Sequence, residues 1–473
     1  MAFSSMAFLF GFLPAAVLCY YLIPARYRAG RNGVLLLFSL AFYAWGGLRL
    51  LPVLLANCLV SWAAGLLLAP GRRGRRAVFW TGVGLNLLPL LCFKYTGFLA
   101  ENLNALGLKL KIPGLLLPAG ISFFTFQAVS YLADVYRGTI PPERNFARLT
   151  LYTAFFPQLL QGPIVRYGDF GPLLADRRET VPEVSAGAVR FCFGLAKKVL
   201  LADALGTAAN GAFAAGNRLS VGLAWIGSIA YTLQLYFDFS GYTDMALGLG
   251  QAFGLPLPEN FDYPYTAQSA AEFWRRWHIT LSRWFRDYVY IPLGGNRCSR
   301  GRHLLNLLAV WLLTGLWHGA AWTFVVWGLY YAALLAGEKY LWGGALERLP
   351  RPVRHLYALL LINFGWVLFR AGSLGQAGDV LSAMLGFAPG GLWSGEAEYD
   401  LRQYAWEWLI AVPAVLPVRL WLSRRLEFSR ERGSALSAAA LALGPKVLAL
   451  CLLGLSAVRL LSSTFRSFLY FQF

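Results

Sequence analysis

The stretch LLNLLAVWLLTGLWHGAAWTFVVWGLYYAALLAG (Leu304–Gly337) decides the fold that we expect for this chain. It is long enough for two closely spaced membrane spans, and His318 is its only ionisable side chain besides two tyrosines. An ionisable group at membrane depth costs roughly 2.5 kcal/mol or more if charged, so it is a functional hypothesis by default. Because burial favours the neutral imidazole, we interpret His318 as a catalytic base, although a structural hydrogen bond to a neighbouring helix would explain it as well.

Composition indicates an all-α polytopic membrane protein with about a dozen transmembrane or re-entrant helices. The 473 residues are 58% hydrophobic and 14% charged, and the mean hydropathy is +0.52. The net charge of +19 comes from arginines in short loops between apolar runs, which favours cytoplasmic retention and anionic lipid over nucleic acid. The six cysteines form no CxxC pair, so neither a disulfide framework nor a metal site is expected.

Basic clusters between the apolar runs predict the orientation. Placing the clusters in the cytoplasm puts both the N-terminus and the C-terminus on the outer face of the membrane. The later spans are expected near residues 355–370, 405–422 and 437–462. The first four apolar runs cover residues 7–24, 33–47, 51–69 and 77–99.

Three polar features interrupt the apolar runs. Lys197 and Lys198 are interpreted as lysines that snorkel at the end of a span. Gln234 and Asp238 lie four residues apart on one helical face, and Asp238 either orients polar groups or is a structural partner for an arginine or tyrosine. FFPQLLQGPIVRY (155–167) is too interrupted for a plain span and is expected to border an internal chamber.

Residues 251–303 stop resembling membrane core. Apolar residues recur at helical spacing and predict one amphipathic helix with its aromatic face buried at the interface. The other face is basic, and guanidinium groups suit phosphate recognition, so this helix is either a lipid anchor or the entrance for a phosphate-bearing ligand. The apolar stripe comprises Phe273, Trp277, Leu281, Trp284 and Tyr288, and the polar face comprises Arg275, His278, Ser282 and Arg286.

One block of motifs carries a family resemblance. The run NFDYPYTAQSAAEFWRRWHITLSRWFRDYVYIPLGGNR (260–297), followed by GLWHG around His318, resembles the membrane-bound O-acyltransferase family. The match is closest to its bacterial alginate O-acetylation branch and more distant to the teichoic-acid D-alanylation branch. MAFSSMAFLFGFLP at the start, FFPQLLQGPIVRY and LYFDFSGYTDMALGLG (235–250) support it, so the resemblance spans nearly the whole chain.

The resemblance implies one transmembrane acyltransferase domain over residues 1–473, with helices around a central chamber open to both faces. Its parts are the N-terminal helices at 1–254, a cytoplasmic-side amphipathic and basic segment at 255–303, the catalytic histidine helices at 304–343, and the C-terminal helices at 344–473. The last part ends in a tail at 465–473.

The resemblance also implies a site. His318 falls on the family's catalytic histidine, and His278 falls on its second signature position, whose role is catalytic or structural. The expected donor is acetyl-CoA from the cytoplasm, with no metal. The residues expected to bind this donor are Asn260, Arg275, Arg276, Arg283, Arg286 and Trp317.

The final residues, FLYFQF, resemble an acyl-transfer tail. Tyr470 is therefore either an acyl carrier or an aromatic anchor at the outer interface. As a carrier, Tyr470 would pass acetyl to an extracytoplasmic SGNH-type acetyltransferase that modifies an exported or cell-wall polysaccharide. The alternatives are D-alanyl or other acyl transfer to a cell-wall polymer, and a transporter or scaffold without chemistry.

Overall fold

The computed structural model describes residues 2–111, 114–431 and 435–462. Across these ranges the regular secondary structure is helical, apart from one isolated antiparallel bridge between Phe261 and Trp277. The predicted all-α class is therefore confirmed. The chain forms two compact units, Met1–Ala188 with Met245–Pro258 and Val189–Asp244 with Glu259–Phe473.

The first unit holds eight named helices in the described residues, and the first four of them correspond to the first four apolar runs. A π-helical turn at Phe8–Phe12 leads into the first of them. These helices are α1 (Leu13–Leu22), α2 (Arg28–Gly46), α3 (Leu51–Leu67), α4 (Arg75–Ala105), α5 (Ile121–Arg137), α6 (Phe146–Ala154), α7 (Phe156–Leu159) and α8 (Tyr167–Ala175). FFPQLLQGPIVRY thus forms α7 and irregular buried chain, as its interrupted sequence predicts.

One buried carboxylate organises the basic residues of the first unit. Glu179 accepts hydrogen bonds from the Tyr20 hydroxyl and from Arg28, both at 2.5 Å. Arg31 lies 3.0 Å from the other carboxylate oxygen, and Arg177 lies 3.4 Å away. The first arginine cluster, interpreted from the sequence only as an orientation signal, therefore also neutralises an internal charge.

Two helices contain the points where the chain passes from one unit to the other. They are α9 (Val181–Ala196) and α11 (Val221–Ala252). The remaining helices belong to the second unit, whose core is dominated by buried tryptophans and tyrosines such as Trp277, Trp327 and Trp366. They are α10 (Asp203–Phe213), α12 (Ala270–Arg276), α13 (Ile279–Phe285), α14 (Arg300–His318), α15 (Trp322–Gly337), α16 (Gly343–Arg348), α17 (Arg351–Arg370), α18 (Leu374–Met384), α19 (Gly395–Gln403), α20 (Ala405–Ala414), α21 (Val418–Glu431) and α22 (Ala435–Ser462).

Four helical segments in the described part of the chain are long and apolar enough to cross a membrane: Leu48–Leu67, Arg75–Ala105, Arg351–Arg370 and Ser437–Ser462. The predicted span at 405–422 is wrong as a single helix, because the chain breaks between α20 and α21. Pro417 lies in the break, and proline disfavours helical backbone at the residue before it.

The stretch Leu304–Gly337 forms two helices, α14 and α15, with a short turn between them, as its length predicts. Helix α14 begins at Arg300 rather than near Leu304, because the Ser299 side chain caps its first turn. His318 is the last residue of α14, and Gly319 follows it as the C-cap.

Glycines let α14 and α15 approach at backbone distance. A Cβ added to Gly315 would lie 2.3 Å from the carbonyl oxygen of Phe324. A Cβ added to Gly328 would lie 2.4 Å from the carbonyl oxygen of Trp311. The two helices of the hairpin that carries His318 are therefore in direct backbone contact. Any residue other than glycine at these two positions would prevent that contact.

The single amphipathic helix predicted over residues 273–288 is wrong. The helix ends at Arg276 and restarts at Ile279, and a π-helical turn follows at Arg286–Tyr290. Trp277 is extended and pairs with Phe261. The residues on either side of it bond to the partner segment, since Asp262 donates to the Arg276 carbonyl and Ile279 donates to the Asn260 carbonyl. The predicted apolar stripe nonetheless faces inward, and its members from Phe273 to Trp284 are buried within the protein.

Candidate active site

His318 lies in a cage of aromatic rings at the end of α14. Its residue is 5% exposed. The imidazole centroid is 5.1 Å from the ring of Trp327 on α15 and 5.0 Å from the ring of Phe369 on α17, both in edge-on arrangements. These rings fix the imidazole orientation and keep bulk water away from it.

Trp317 lies next to both candidate histidines. Its ring centroid is 4.9 Å from that of His318 and 6.0 Å from that of His278. His278 is 1% exposed and packs edge-on against Phe239 at 4.7 Å. The structure thus brings His278, Trp317 and His318 together, and their chemical roles stay predictions.

His278 lies in the break between α12 and α13, outside the candidate spans. Burial lowers the pKa of its imidazole to about 3, so the ring is neutral near pH 7. Asn260 is fully buried beside it, with its side-chain oxygen 3.1 Å from Nδ1 of His278. The sequence placed Asn260 among the donor-binding residues, and its contact with His278 had no signal in the local pattern.

The four candidate arginines lie on the outer side of α12 and the segment after it. Arg276 pairs with Glu272 at 2.8 Å, and Arg286 pairs with Asp287 at 2.7 Å. Arg275 and Arg283 are exposed, and neither has a carboxylate within ion-pair distance in the described residues. Positive charge that is not neutralised locally therefore remains at these two residues.

A cavity of about 500 Å³ adjoins α12. Cationic side chains line it together with polar and acidic ones. The cations are Arg275, Lys339 and Arg354. Of these three cations, the sequence predicted only Arg275, because Lys339 and Arg354 come from later segments of the chain.

His303 at this cavity connects two π-helical turns. Its Nε2 is 2.7 Å from the Tyr290 hydroxyl, which belongs to the turn Arg286–Tyr290. Its Nδ1 is 2.6 Å from the Tyr340 hydroxyl, which belongs to the turn Glu338–Trp342. Burial and the nearby charge of Lys339 lower the pKa of His303, so one ring nitrogen donates and the other accepts.

The interpretation of Lys198 as a snorkelling residue is wrong. Its Nζ lies 2.6 Å from Asp238 and 2.8 Å from Asp203, and the side chains of Lys198 and Asp238 are 3% and 1% exposed. A buried ammonium needs such partners because its desolvation is costly. Asp238 is thus a structural partner, as one alternative held, but of a lysine. Lys197 pairs with Asp244 at 2.7 Å.

Gln234 and Tyr470 are the remaining residues that the sequence singled out. Gln234 is buried on α11, the helix that also carries Asp238. Tyr470 and the rest of the predicted acyl-transfer tail lie outside the described residues. Within the described residues, no group of three or more His, Cys, Asp or Glu is arranged to hold a metal ion.

Comparisons with known proteins define the class. Residues 143–369 match the membrane-bound O-acyltransferase family. The chain is 40% identical over 506 residues to a protein of Azotobacter vinelandii named "Probable alginate O-acetylase AlgI", covering 100% of each chain. It is 36% identical over 423 residues to the peptidoglycan O-acetyltransferase of Helicobacter pylori, covering 81% of this chain and 80% of the relative.

A more distant similarity links the chain to the teichoic acid D-alanyltransferase of Bacillus subtilis, at 29% identity over 265 residues, 53% of this chain and 66% of the relative. The chain belongs to the membrane-bound O-acyltransferase family. It is a membrane acyltransferase of the alginate O-acetylase-like type.

Proposed function

We propose that this acyltransferase takes acetyl from cytoplasmic acetyl-CoA and passes it outward for O-acetylation of an exported or cell-wall polysaccharide. The observation that carries the proposal is the buried, aromatic-caged His318, with Trp317 between it and His278. The names of the A. vinelandii and H. pylori relatives support acetyl transfer to a polymer.

In the proposed reaction a hydroxyl oxygen attacks the thioester carbonyl. His318 takes the hydroxyl proton as the C–O bond forms, and it returns a proton to the sulfur as the C–S bond breaks and CoA leaves as the thiol. Such general base catalysis contributes about 10²–10⁴-fold. The rings of Trp327 and Phe369 support this role because they exclude water that would hydrolyse the donor.

The donor needs cations for its phosphates. Arg275 and Arg283, which have no carboxylate partner in the described residues, are the strongest candidates among the four arginines. The cavity beside α12 adds Lys339 and Arg354 to Arg275, although Glu272, Glu338 and Glu347 also line it. In the proposal, the phosphate-bearing end of acetyl-CoA would bind at these cations.

The outward path involves Tyr470. About a dozen transmembrane or re-entrant helices would surround a chamber open to both faces, in a bacterial cytoplasmic membrane with both termini outside. Tyr470 would take acetyl on its hydroxyl and hand it to an extracytoplasmic SGNH-type transferase. The aromatic setting of the tail, FLYFQF, and the predicted outer location of the C-terminus support this relay.

The first test measures CoA release and label transfer by purified protein supplied with labelled acetyl-CoA. His318→Ala is expected to lower turnover by about 10²-fold or more while the protein stays folded. His355→Ala is the matched control, because Nδ1 of His355 donates one hydrogen bond, to the Ala267 carbonyl, away from the aromatic cage. Full turnover in His318→Ala would contradict the proposal and favour a transporter or scaffold.

The second test is mass spectrometry of the C-terminal peptide after the same incubation. An acetyl group is expected on Tyr470 and absent from Tyr470→Phe, whose polymer acetylation should be lost. Tyr399→Phe changes an exposed tyrosine on α19 and should have no effect. Unchanged polymer acetylation in Tyr470→Phe would rule out the relay but leave the first test intact.

D-alanyl transfer is the second candidate function, because the B. subtilis relative is a D-alanyltransferase. Its lower identity and shorter coverage favour acetyl transfer. Offering a D-alanyl thioester in the same assay separates the two, since only the true donor should release its thiol in a His318-dependent manner.

A further inference from the structure

Asn260 and His278 are held side by side by two antiparallel backbone segments. The N–H of Ile279 donates to the carbonyl of Asn260 at 3.0 Å, and the N–H of Asp262 donates to the carbonyl of Arg276 at 2.9 Å. His278 has a φ of 45°, a left-handed conformation that residues other than glycine rarely adopt. Such a conformation persists where the surroundings enforce it, and it is concentrated at functional sites.

The contacts of Asn260 fix which way its amide points. One side-chain atom faces the backbone N–H of Thr280 at 3.2 Å and the Thr280 hydroxyl at 2.9 Å. Because a backbone N–H is always a donor, that atom must be the oxygen. The same oxygen lies 3.1 Å from Nδ1 of His278. A carbonyl oxygen only accepts, so Nδ1 of His278 must carry the hydrogen.

The tautomer decides what the other nitrogen can do. A neutral imidazole has one N–H, so Nε2 of His278 is left as a bare acceptor. Nε2 is buried and has no hydrogen-bond partner in the described part of the chain. Buried polar atoms are generally satisfied, which indicates that this acceptor meets a donor group from a bound molecule.

We infer that Asn260 is a positioning residue, which locks His278 in its Nδ1–H tautomer so that Nε2 accepts a hydrogen bond from an O–H or N–H of a bound substrate. The neutral ring is thereby excluded as a hydrogen-bond donor to the oxyanion of the transition state. Two substrate groups have the required chemistry, namely the attacking hydroxyl and an amide N–H of an acyl-CoA pantetheine arm. Only the identity of the substrate group that donates to Nε2 rests on the proposed function.

The tautomer is tested directly by ¹⁵N NMR of the full-length protein labelled in its histidine rings. The chain has only 4 histidines, and His278→Gln identifies the signal of His278. Nδ1–H is expected in the unaltered protein, with conversion to Nε2–H in Asn260→Ala. Nε2–H in the unaltered protein would overturn the inference. This readout needs no turnover, so it is separate from a failure of acetyl-CoA as donor.

Kinetics tests the consequence in a matched set of variants. Asn260→Ala should lose roughly 10- to 100-fold in kcat/KM, in kcat if the donor is the attacking hydroxyl and in KM if it is the pantetheine amide. The control is Asn363→Ala, another buried asparagine of the second unit, which donates to Thr232 at 2.9 Å. An equal loss in Asn363→Ala and Asn260→Ala would overturn the inference.

Asn260→Asp separates positioning from simple packing. It keeps the acceptor oxygen but adds a charge that raises the pKa of His278. Activity should therefore be retained at alkaline pH and lost as the pH falls and Nε2 is protonated, whereas burial keeps the unaltered ring neutral over the same range. A pH profile parallel to that of the unaltered protein would contradict the inference.

Discussion

Glu179 is one residue through which pH acts on the first unit. Burial would by itself raise the pKa of its carboxyl, but hydrogen bonds from Tyr20 and Arg28, with the charges of Arg28 and Arg31, hold that pKa below its usual range. A carboxyl whose pKa is lowered in the folded state stabilises it above the unfolded pKa of about 4.3. That stability is lost as the pH falls through the folded pKa. Glu179→Gln should lower the Tm at pH 7 and weaken the further fall of Tm as the pH drops below about 4.3, measured by thermal unfolding of purified protein. Glu101→Gln, at an exposed glutamate of α4, should leave both unchanged. The same acid dependence in Glu179→Gln and the unaltered protein would contradict this assignment.

The sequence identified His318 and His278 because motifs carry them, but it missed the partners of Glu179, Lys198 and Asn260. Most of these contacts join residues far apart in the chain, such as Lys198 and Asp238, 40 positions apart. Local periodicity holds no information on such pairs, and composition favoured snorkelling because it treats each lysine alone.

The α14–α15 hairpin is the element whose packing is easiest to test. Gly328→Ala would place a Cβ against the Trp311 carbonyl, a backbone atom that cannot rotate away, so the helices must separate. The expected result is a Tm lower by several degrees, with reduced turnover because His318 moves with α14. Gly301→Ala lies in α14 with nothing within 4 Å of the new Cβ, and alanine favours helix over glycine, so its Tm should be equal or higher. Equal Tm values for the two variants would show that the close approach is not required.

At the scale of helices, the sequence predicted the hairpin correctly, because length and hydropathy are local properties. It failed at the break between α12 and α13, since the aromatic spacing of Phe273 and Trp284 suits two short helices as well as one. The break coincides with the pairing of Trp277 with Phe261. Phe261 lies in a separate segment, and the helical pattern of residues 273–288 gives no sign of it.

For the whole molecule, the predicted orientation can be tested with single cysteines in a background without the other native ones. Cys298 lies in a basic loop that is expected in the cytoplasm, and Tyr399→Cys places a thiol in the acidic segment expected outside. A membrane-impermeant maleimide should label Tyr399→Cys in right-side-out vesicles and Cys298 only in inside-out vesicles. The opposite labelling pattern would reverse the predicted orientation.

Composition was sufficient to predict a helical membrane protein, but hydropathy did not predict how the apolar runs are divided into helices. Spans such as 405–422 are broken into shorter helices, because proline and backbone pairing override apolar length.

The two tyrosine hydroxyls on His303 have a mechanical consequence. They fasten the base of the α14–α15 hairpin, whereas His318 is at its tip, roughly 22 Å along α14 at 1.5 Å per residue. Stiff helices act as a lever, so a slight rocking at the fastening is passed along α14 to the tip, where the rings of Trp327 and Phe369 hold the imidazole. Loosening this remote joint would therefore act on the imidazole of His318 from the far end of its own helix.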